Sequence, residues 1–307
     1  MKIAIIGSGM AGLACAARLS KAGLPPTVYD KGRGLGGRMA TRRVEGGLQF
    51  DHGAQTIPCE DSAFCTLLED ARASGHVADW DMGDGTPKAV GTPGMTALAK
   101  YLAQGLDLYQ QTEITSVTQT GAGWDLTADH AVGTYDRVIC TAPAPQTGKL
   151  VGHALTDTLD HVAYAPSLTL MVALNRPLDA PDTQANPTDA LAWIAHDSAK
   201  PGRPSQYCWV TQASAEWSVT HLELSKDEIA ARMLDLFLTH HGLEATDVAY
   251  ATAHRWRYAL ITHPLGQSFV TSPDGTLYAG GDWCLGPHIE HAWRSGTAIA
   301  QDILRAA

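Results

Sequence analysis

Residues 3–30, "IAIIGSGMAGLACAARLSKAGLPPTVYD", put an apolar run, a glycine-rich corner, an alanine-rich stretch and a second apolar run in immediate succession. Few chain geometries satisfy that order. The apolar runs read as buried strands and the stretch between them as a helix stopping at Gly23, in a unit of strand–helix–strand length. The corner is G-x-G-x-x-G, formed by Gly7, Gly9 and Gly12. Between a strand and a helix each glycine has its own task. The first takes the tight turn, the second lets a pyrophosphate approach the backbone, and the third lets helix and strand pack closely. Met10 and Ala11 open the helix, whose free N–H groups and positive dipole end favour phosphate. Asp30 closes the second strand eighteen residues beyond Gly12, where a carboxylate accepts from ribose hydroxyls. The corner predicts a dinucleotide site in an α/β fold, without separating NAD from FAD.

The formal charge of −10, from 22 lysines and arginines against 32 acids, excludes a broad basic footprint for nucleic acid. Lys31, Arg33, Arg38, Arg42 and Arg43 nevertheless crowd thirteen positions, a cluster suited to an anionic ligand. The six cysteines are scattered without a C-x-x-C pair, as expected of a reducing compartment, and several should fill the core. The glycine corner breaks the N-terminal apolar run too early for a signal peptide, and no run approaches the ~18 apolar residues of a membrane span. A cytoplasmic protein with no membrane partner is the expectation. The 13 histidines include no H-E-x-x-H, so no metal site is expected, and no G-x-S-x-G elbow supports hydrolase chemistry.

Farther along, "DSAFCTLLEDARASG" and "GMTALAKYLAQG" carry helical spacing, and "EITSVTQT", "GWDLTA" and "DRVICTA" alternate like strands, with Gly121 and Gly123 at a hairpin turn. "LTLMVAL", "LAWIA" and "QYCWVTQ" predict a second sheet. Ser225 and Glu228 form a capping box at the head of a helix ending before Gly242. The chain closes on a strand, "TLYAGGD", and a helix, "EHAWRSGTAIAQDILRA".

Beyond the corner, "DKGRGLGGRM" resembles the segment of glutathione-reductase-type and amine-oxidase-type flavoproteins in which an arginine after a glycine pair extends over FAD. Gly37 and Arg38 are the matching positions, following Lys31. "FDHGAQ" is similar to the strand and turn that run under the flavin, which implicates Ala54 and Gln55; the Gln55 amide has both donor and acceptor capacity for a flavin edge or a nicotinamide. "EITSV" resembles the strand whose backbone meets the adenine, at Ile114. "GGDWCLGPHIEHAWRSG" resembles the last flavin station, with Gly281 and Asp282 at the phosphate–ribityl portion and Ile289 and Glu290 at the head of a helix aimed at the pyrimidine.

Together with "TPGMTAL", "AHRWRYA" and "VTQASAEWSVTHLE", these stretches resemble the renalases in their bacterial form, essentially end to end. Vertebrate renalases lack "DWC" after Gly-Gly-Asp and carry Tyr where Thr56 stands. The resemblance implies a Rossmann-like FAD-binding domain (1–56, 104–150 and 268–307) interleaved with an α+β substrate domain (57–103 and 151–267) carrying an antiparallel sheet, as in p-hydroxybenzoate hydroxylase and the amine oxidases. It further implies noncovalent FAD, oxidation of 2- and 6-dihydro-NAD(P) to NAD(P)+, and reoxidation by O2 to hydrogen peroxide. A dihydronicotinamide needs positioning rather than a base, because losing hydride makes its ring aromatic. Gln55, His254, Arg255, Trp256, Tyr258 and Trp283 are the expected substrate contacts. Two alternatives stand beside this one: an amine oxidase on the same fold, and a flavin carrier or sensor without turnover. The first is disfavoured because only Lys200 and Lys226 follow residue 149, one expected in a loop and the other in the capping box.

Overall fold

The computed structural model describes residues 1–82, 85–152 and 155–307. Its centre is strand Ile3–Ile6, buried along its whole length because parallel neighbours flank it and helices cover its sheet. The six-stranded sheet runs in the order Val270–Thr271, Leu277–Ala279, Arg137–Cys140, Ile3–Ile6, Thr27–Tyr29 and Asp107–Tyr109, parallel except for the first. These strands come from residues within 1–56, 104–150 and 268–307. Helix Met10–Lys21 buries Leu13, Ala16 and Leu19, while the final helix, Ile289–Arg305, sends Ile299, Ala300 and Ile303 into the core with Ile3 and Ile5. The two helices meet at Gly296, where a side chain would land on the Ala11 carbonyl. The fold is α/β and Rossmann-like in this half.

The expected hairpin around Gly121–Gly123 is two strands of a three-stranded antiparallel sheet, completed by Ala131–Tyr135. A five-stranded antiparallel sheet follows, ordered Thr183–Ala185, Leu191–His196, Cys208–Ala213, Ala163–Leu174 and Val248–His263. On one face Leu168, Leu170, Ile194 and Trp209 pack against Ile229, Met233 and Phe237 of helix Lys226–His241, which begins with the expected Ser225–Glu228 box and ends at Gly242 in the left-handed region. The other face turns toward the α/β half, with Met171, Cys208 and Val210 against Phe50. "AHRWRYA" is the middle of the edge strand Val248–His263. Within "VTQASAEWSVTHLE", residues Ala215–Thr220 form a helix capped by the Ser214 hydroxyl, which accepts the Trp217 N–H.

Cys15, Cys140, Cys208 and Cys284 are buried free thiols, as core filling requires, and burial pushes Cys140 and Cys284 up to about 12. Cys59 and Cys65, by contrast, form a disulfide between the segment after Ile57 and helix Ser62–Ala73, a pairing that scattered spacing does not reveal. Among the described residues no helix is long and apolar enough to cross a membrane.

Candidate active site

The glycine corner has the geometry its sequence demands. Gly7 sits at φ +111°, where a side chain would also strike the Thr141 hydroxyl, and a side chain on Gly12 would run into the Gly7 carbonyl. Beside Gly9 there is open space instead. Gly9 is the N-cap and contributes no side chain, so the first-turn N–H groups of Met10 and Ala11 face outward from the helix end. Asp30 closes the corner from the second strand. It accepts from the Ser8 N–H and hydroxyl at 2.6 and 2.7 Å and from the Gly32 N–H at 2.6 Å. Lys31 is exposed beside Glu113 at 3.9 Å, next to the buried Ile114.

Arg38 ties three distant parts of the chain together. Its guanidinium donates to the carbonyls of Tyr258 and Ala259 at 3.2 and 3.0 Å, and to Asp282 Oδ1 at 2.6 Å. Asp282 is buried and also accepts the Trp283 N–H, while Gly281 N–H donates to Ser295 in the final helix. Gly37, at φ +54°, lets this segment run past Gly9. At the head of the final helix, Ile289 packs with Met10 and Ile57, and the Glu290 carboxylate accepts the N–H groups of Glu60 and Asp61 at 2.5 and 3.0 Å. The expected stations from residues 7–12, 30–38 and 281–290 therefore converge.

The segment "FDHGAQ" runs beside Arg38, with Ala54 N–H on the Arg38 carbonyl at 2.9 Å and no room for a side chain at Gly53. The Gln55 amide, whose donor and acceptor capacity suits a flavin edge or a nicotinamide, is engaged within the protein. Its Nε2 donates to the carbonyls of Asp51 and Gly53, and its Oε1 accepts from Lys200 Nζ at 3.0 Å, so the amide shapes its own turn. Lys200 lies in the expected loop, just past the short helical turn Asp197–Ala199, but is buried there, its ammonium on Asp197 Oδ1 at 2.7 Å and over the Trp80 ring at 5.4 Å. Asp51 joins this cluster through Arg203, the Thr41 hydroxyl and the Met95 N–H. Lys200 and Arg203 hold the Asp51 carboxyl below its ordinary range, whereas burial pushes Asp197 up. Nothing in spacing marks these four residues together, although Asp51 closes a strand, Gln49–Asp51, that is buried at all three positions.

On the facing edge strand, alternation sets His254 and Trp256 toward this segment. The His52 and Trp256 rings stack at 5.4 Å, the His52 and His254 rings meet edge-on at 4.8 Å, and the Trp256 indole donates to the His52 carbonyl at 2.7 Å. Tyr258 meets Tyr164 at 5.3 Å. Burial holds both His52 and His254 down at about 4, so both are neutral at neutral pH. Two expected substrate contacts lie elsewhere. Arg255 points to the opposite side of its strand and donates to the Leu224 carbonyl. Trp283 is wholly buried, its indole N–H on the Ala142 carbonyl, because the apolar core beneath the sheet claims the ring.

The open space at Gly9 and the uncapped helix end make a backbone-lined cradle that suits the pyrophosphate of a flavin dinucleotide, while the close approaches at Gly7, Gly12 and Gly53 hold the surrounding backbone in place. Residues 5–70 match the NAD(P)-binding Rossmann-like domain family, and residues 72–304 match the family described as flavin containing amine oxidoreductase. Over 61 residues, 20% of the chain, it is 41% identical to the 4,4'-diapophytoene desaturases (4,4'-diaponeurosporene-forming) of Staphylococcus aureus strains Newman and USA300. The match spans 12% of the length of those curated relatives. Among solved structures, a redesigned triple mutant of putrescine oxidase superposes with a TM-score of 0.77 at 14% identity, covering 100% of this chain and 99% of that one. A putative protoporphyrinogen oxidase from Exiguobacterium sp. 255-15 follows at 0.76 and 13%, covering 100% and 99%. Cyclohexylamine oxidase from Brevibacterium oxydans IH-35A gives 0.72 and 12%, covering 99% of each chain. At these identities the likeness is one of fold.

Proposed function

This chain belongs to the flavin containing amine oxidoreductases, and on that premise we propose that it is an FAD-dependent oxidase of 2- and 6-dihydro-NAD(P), yielding NAD(P)+ and hydrogen peroxide. When bound, FAD supplies the two-electron acceptor that O2 reoxidises. In this reading Gly7, Gly9, Met10, Ala11 and Gly12 hold the pyrophosphate noncovalently, Asp30, Lys31 and Ile114 border the adenosine end, and Gly37, Arg38, Ala54, Gln55, Gly281, Asp282, Ile289 and Glu290 surround the flavin end. His52, His254, Trp256 and Tyr258 form a planar wall for the substrate ring.

One observation carries the choice of substrate: the wall offers no effective base. An alkylammonium must shed a proton before oxidation, and histidines held at about 4 accept one poorly at neutral pH. A dihydronicotinamide needs only to be stacked and oriented.

Amine oxidation is the second reading, supported by the likeness to putrescine and cyclohexylamine oxidases and by the buried Lys200 behind Gln55. That ammonium is already committed to Asp197 and Gln55. Mixing the FAD-loaded protein anaerobically with each substrate class separates the readings. Rapid bleaching of the flavin band by 2- or 6-dihydro-NAD, with NAD+ formed, supports the first; bleaching by amines alone overturns it. Sustained peroxide production with either class rules out a carrier without turnover.

A further inference from the structure

The inner face of the five-stranded sheet carries a row of side chains of which only His254 belongs to the substrate wall described above. Trp193, Gln212, Thr169 and His254 stand directly opposite one another on the neighbouring strands Leu191–His196, Cys208–Ala213, Ala163–Leu174 and Val248–His263. Residues paired in this way share a face of the sheet. That face looks toward the α/β half at each position with a contact: Trp193 packs on the cluster of Met10 and Ile57, the Gln212 amide reaches the Gly53 carbonyl, and the His254 ring meets His52. Two residues away on the same face, Ala195, Val210 and Met171 line up likewise and are wholly buried, whereas Trp193, Gln212 and His254 keep part of their surface exposed. The face is therefore closed at one row and reachable at the next.

The reachable row has hydrogen-bonding capacity to spare. Gln212 Nε2 donates to the Gly53 carbonyl at 2.8 Å, and because a carbonyl can only accept, the amide nitrogen must face it. That contact fixes the amide and turns Oε1 away from Gly53, with no partner among the described residues. The Thr169 hydroxyl and the Trp193 indole N–H, on its two flanks, are buried and also without a hydrogen-bond partner. Buried polar groups are nearly always hydrogen-bonded, which sets this row apart from Gln55, whose amide is engaged at both ends. An acceptor held in place beside a hydroxyl matches a primary carboxamide, which brings N–H donors and one carbonyl. The row holds no carboxylate to receive an ammonium. Strands lie about 4.8 Å apart, so Gln212 and His254, two strands from each other, are separated by roughly 10 Å, the reach of a planar ring with a carboxamide on it.

We propose that Gln212 and Thr169 form a carboxamide subsite, Gln212 Oε1 accepting an amide N–H of a substrate whose ring lies against His254 and Trp256, and the Thr169 hydroxyl donating to the amide carbonyl. The subsite rests on the dihydronicotinamide reading for its substrate, but its preference for a primary amide does not. Gln212 is then a specificity-determining residue: a fixed acceptor left unpaired penalises a ring that lacks the amide N–H.

The test compares 6-dihydro-NAD with its 3-acetylpyridine analogue, which keeps the carbonyl and replaces the amide nitrogen by a methyl group, in wild type, Gln212→Met and Thr169→Val. The ratio of kcat/KM for carboxamide over acetyl substrate is expected to fall roughly tenfold or more in Gln212→Met. Thr169→Val should instead lower kcat/KM for both substrates alike and leave the ratio near that of wild type, since both carry the carbonyl. A ratio unchanged in Gln212→Met overturns the proposal, and so does a Thr169→Val variant that turns over both substrates as wild type does. Should no dihydronicotinamide reduce the flavin, the functional reading falls, and the subsite is then tested without turnover by calorimetric titration of NAD+ and its 3-acetylpyridine analogue into the FAD-loaded proteins. Tighter binding of NAD+ by wild type that Gln212→Met abolishes supports the subsite by itself. Equal binding of the two, a preference that survives the substitution, or no binding of either removes it.

Discussion

Lys200 carries a charge into the buried interior and meets Asp197, Gln55 and, at 3.7 Å, Asp51. Removing one member of such a buried set leaves the others uncompensated, typically at about 3–5 kcal/mol. Lys200→Met should therefore lower stability by about that amount in urea titration, and adding Asp197→Asn should restore part of it; independent, additive losses would contradict a single network. His52 and His254 set a pH dependence of opposite origin. Their folded pKa values lie near 4 against an ordinary 6.5, so the unfolded chain binds more protons between those values. Their stabilisation is complete above pH 6.5 and is lost as pH falls toward 4, for His52 alone by roughly 3 kcal/mol. Urea midpoints at pH 7 and pH 4.5 measure it, and His52→Asn should flatten the slope. Neither group of residues was legible beforehand as a group. "FDHGAQ" marked a turn near the cofactor, but the partner that consumes the Gln55 amide lies 145 residues away.

At the scale of elements, capped helices were the most readable features, because Ser225 with Glu228 and the closing Gly242 satisfy local backbone groups within a single helix. The edge strand Val248–His263 was the least readable. Both of its faces touch something, Ala253 the helical layer and His254 the α/β half, so the polar–apolar alternation of a half-exposed strand is blurred. The head of the final helix shows how one side chain fixes an element. Glu290 accepts two N–H groups from the segment carrying the Cys59–Cys65 disulfide, and bonds to a charged acceptor contribute about 1.5–3 kcal/mol. In Glu290→Ala, amide exchange at Glu60 and Asp61 should accelerate while Ile299 and Ile303 in the same helix stay protected. Uniform acceleration along the helix would mean that the contact supports the whole fold instead.

The molecule as a whole is held together where its ends meet, at the Gly296–Ala11 helix contact and at the Arg38–Asp282 pair, whose partners lie 244 positions apart. A ligand bound across that junction couples to global stability. FAD at 100 times its Kd should add about 2.7 kcal/mol and raise Tm by several degrees, read by thermal scans with and without added cofactor. A Tm that ignores FAD would count against noncovalent binding at the glycine corner. The sequence by itself determined that corner, since a strand, a turn with positive φ at Gly7, a helix and a closing aspartate all lie within thirty residues and answer to local sterics and dipoles. Only the tertiary structure decided which charges pair, which face of the edge strand meets the α/β half, and that Trp283 belongs to the core. Strand register and long-range packing assign those positions, and no local pattern of residues records them.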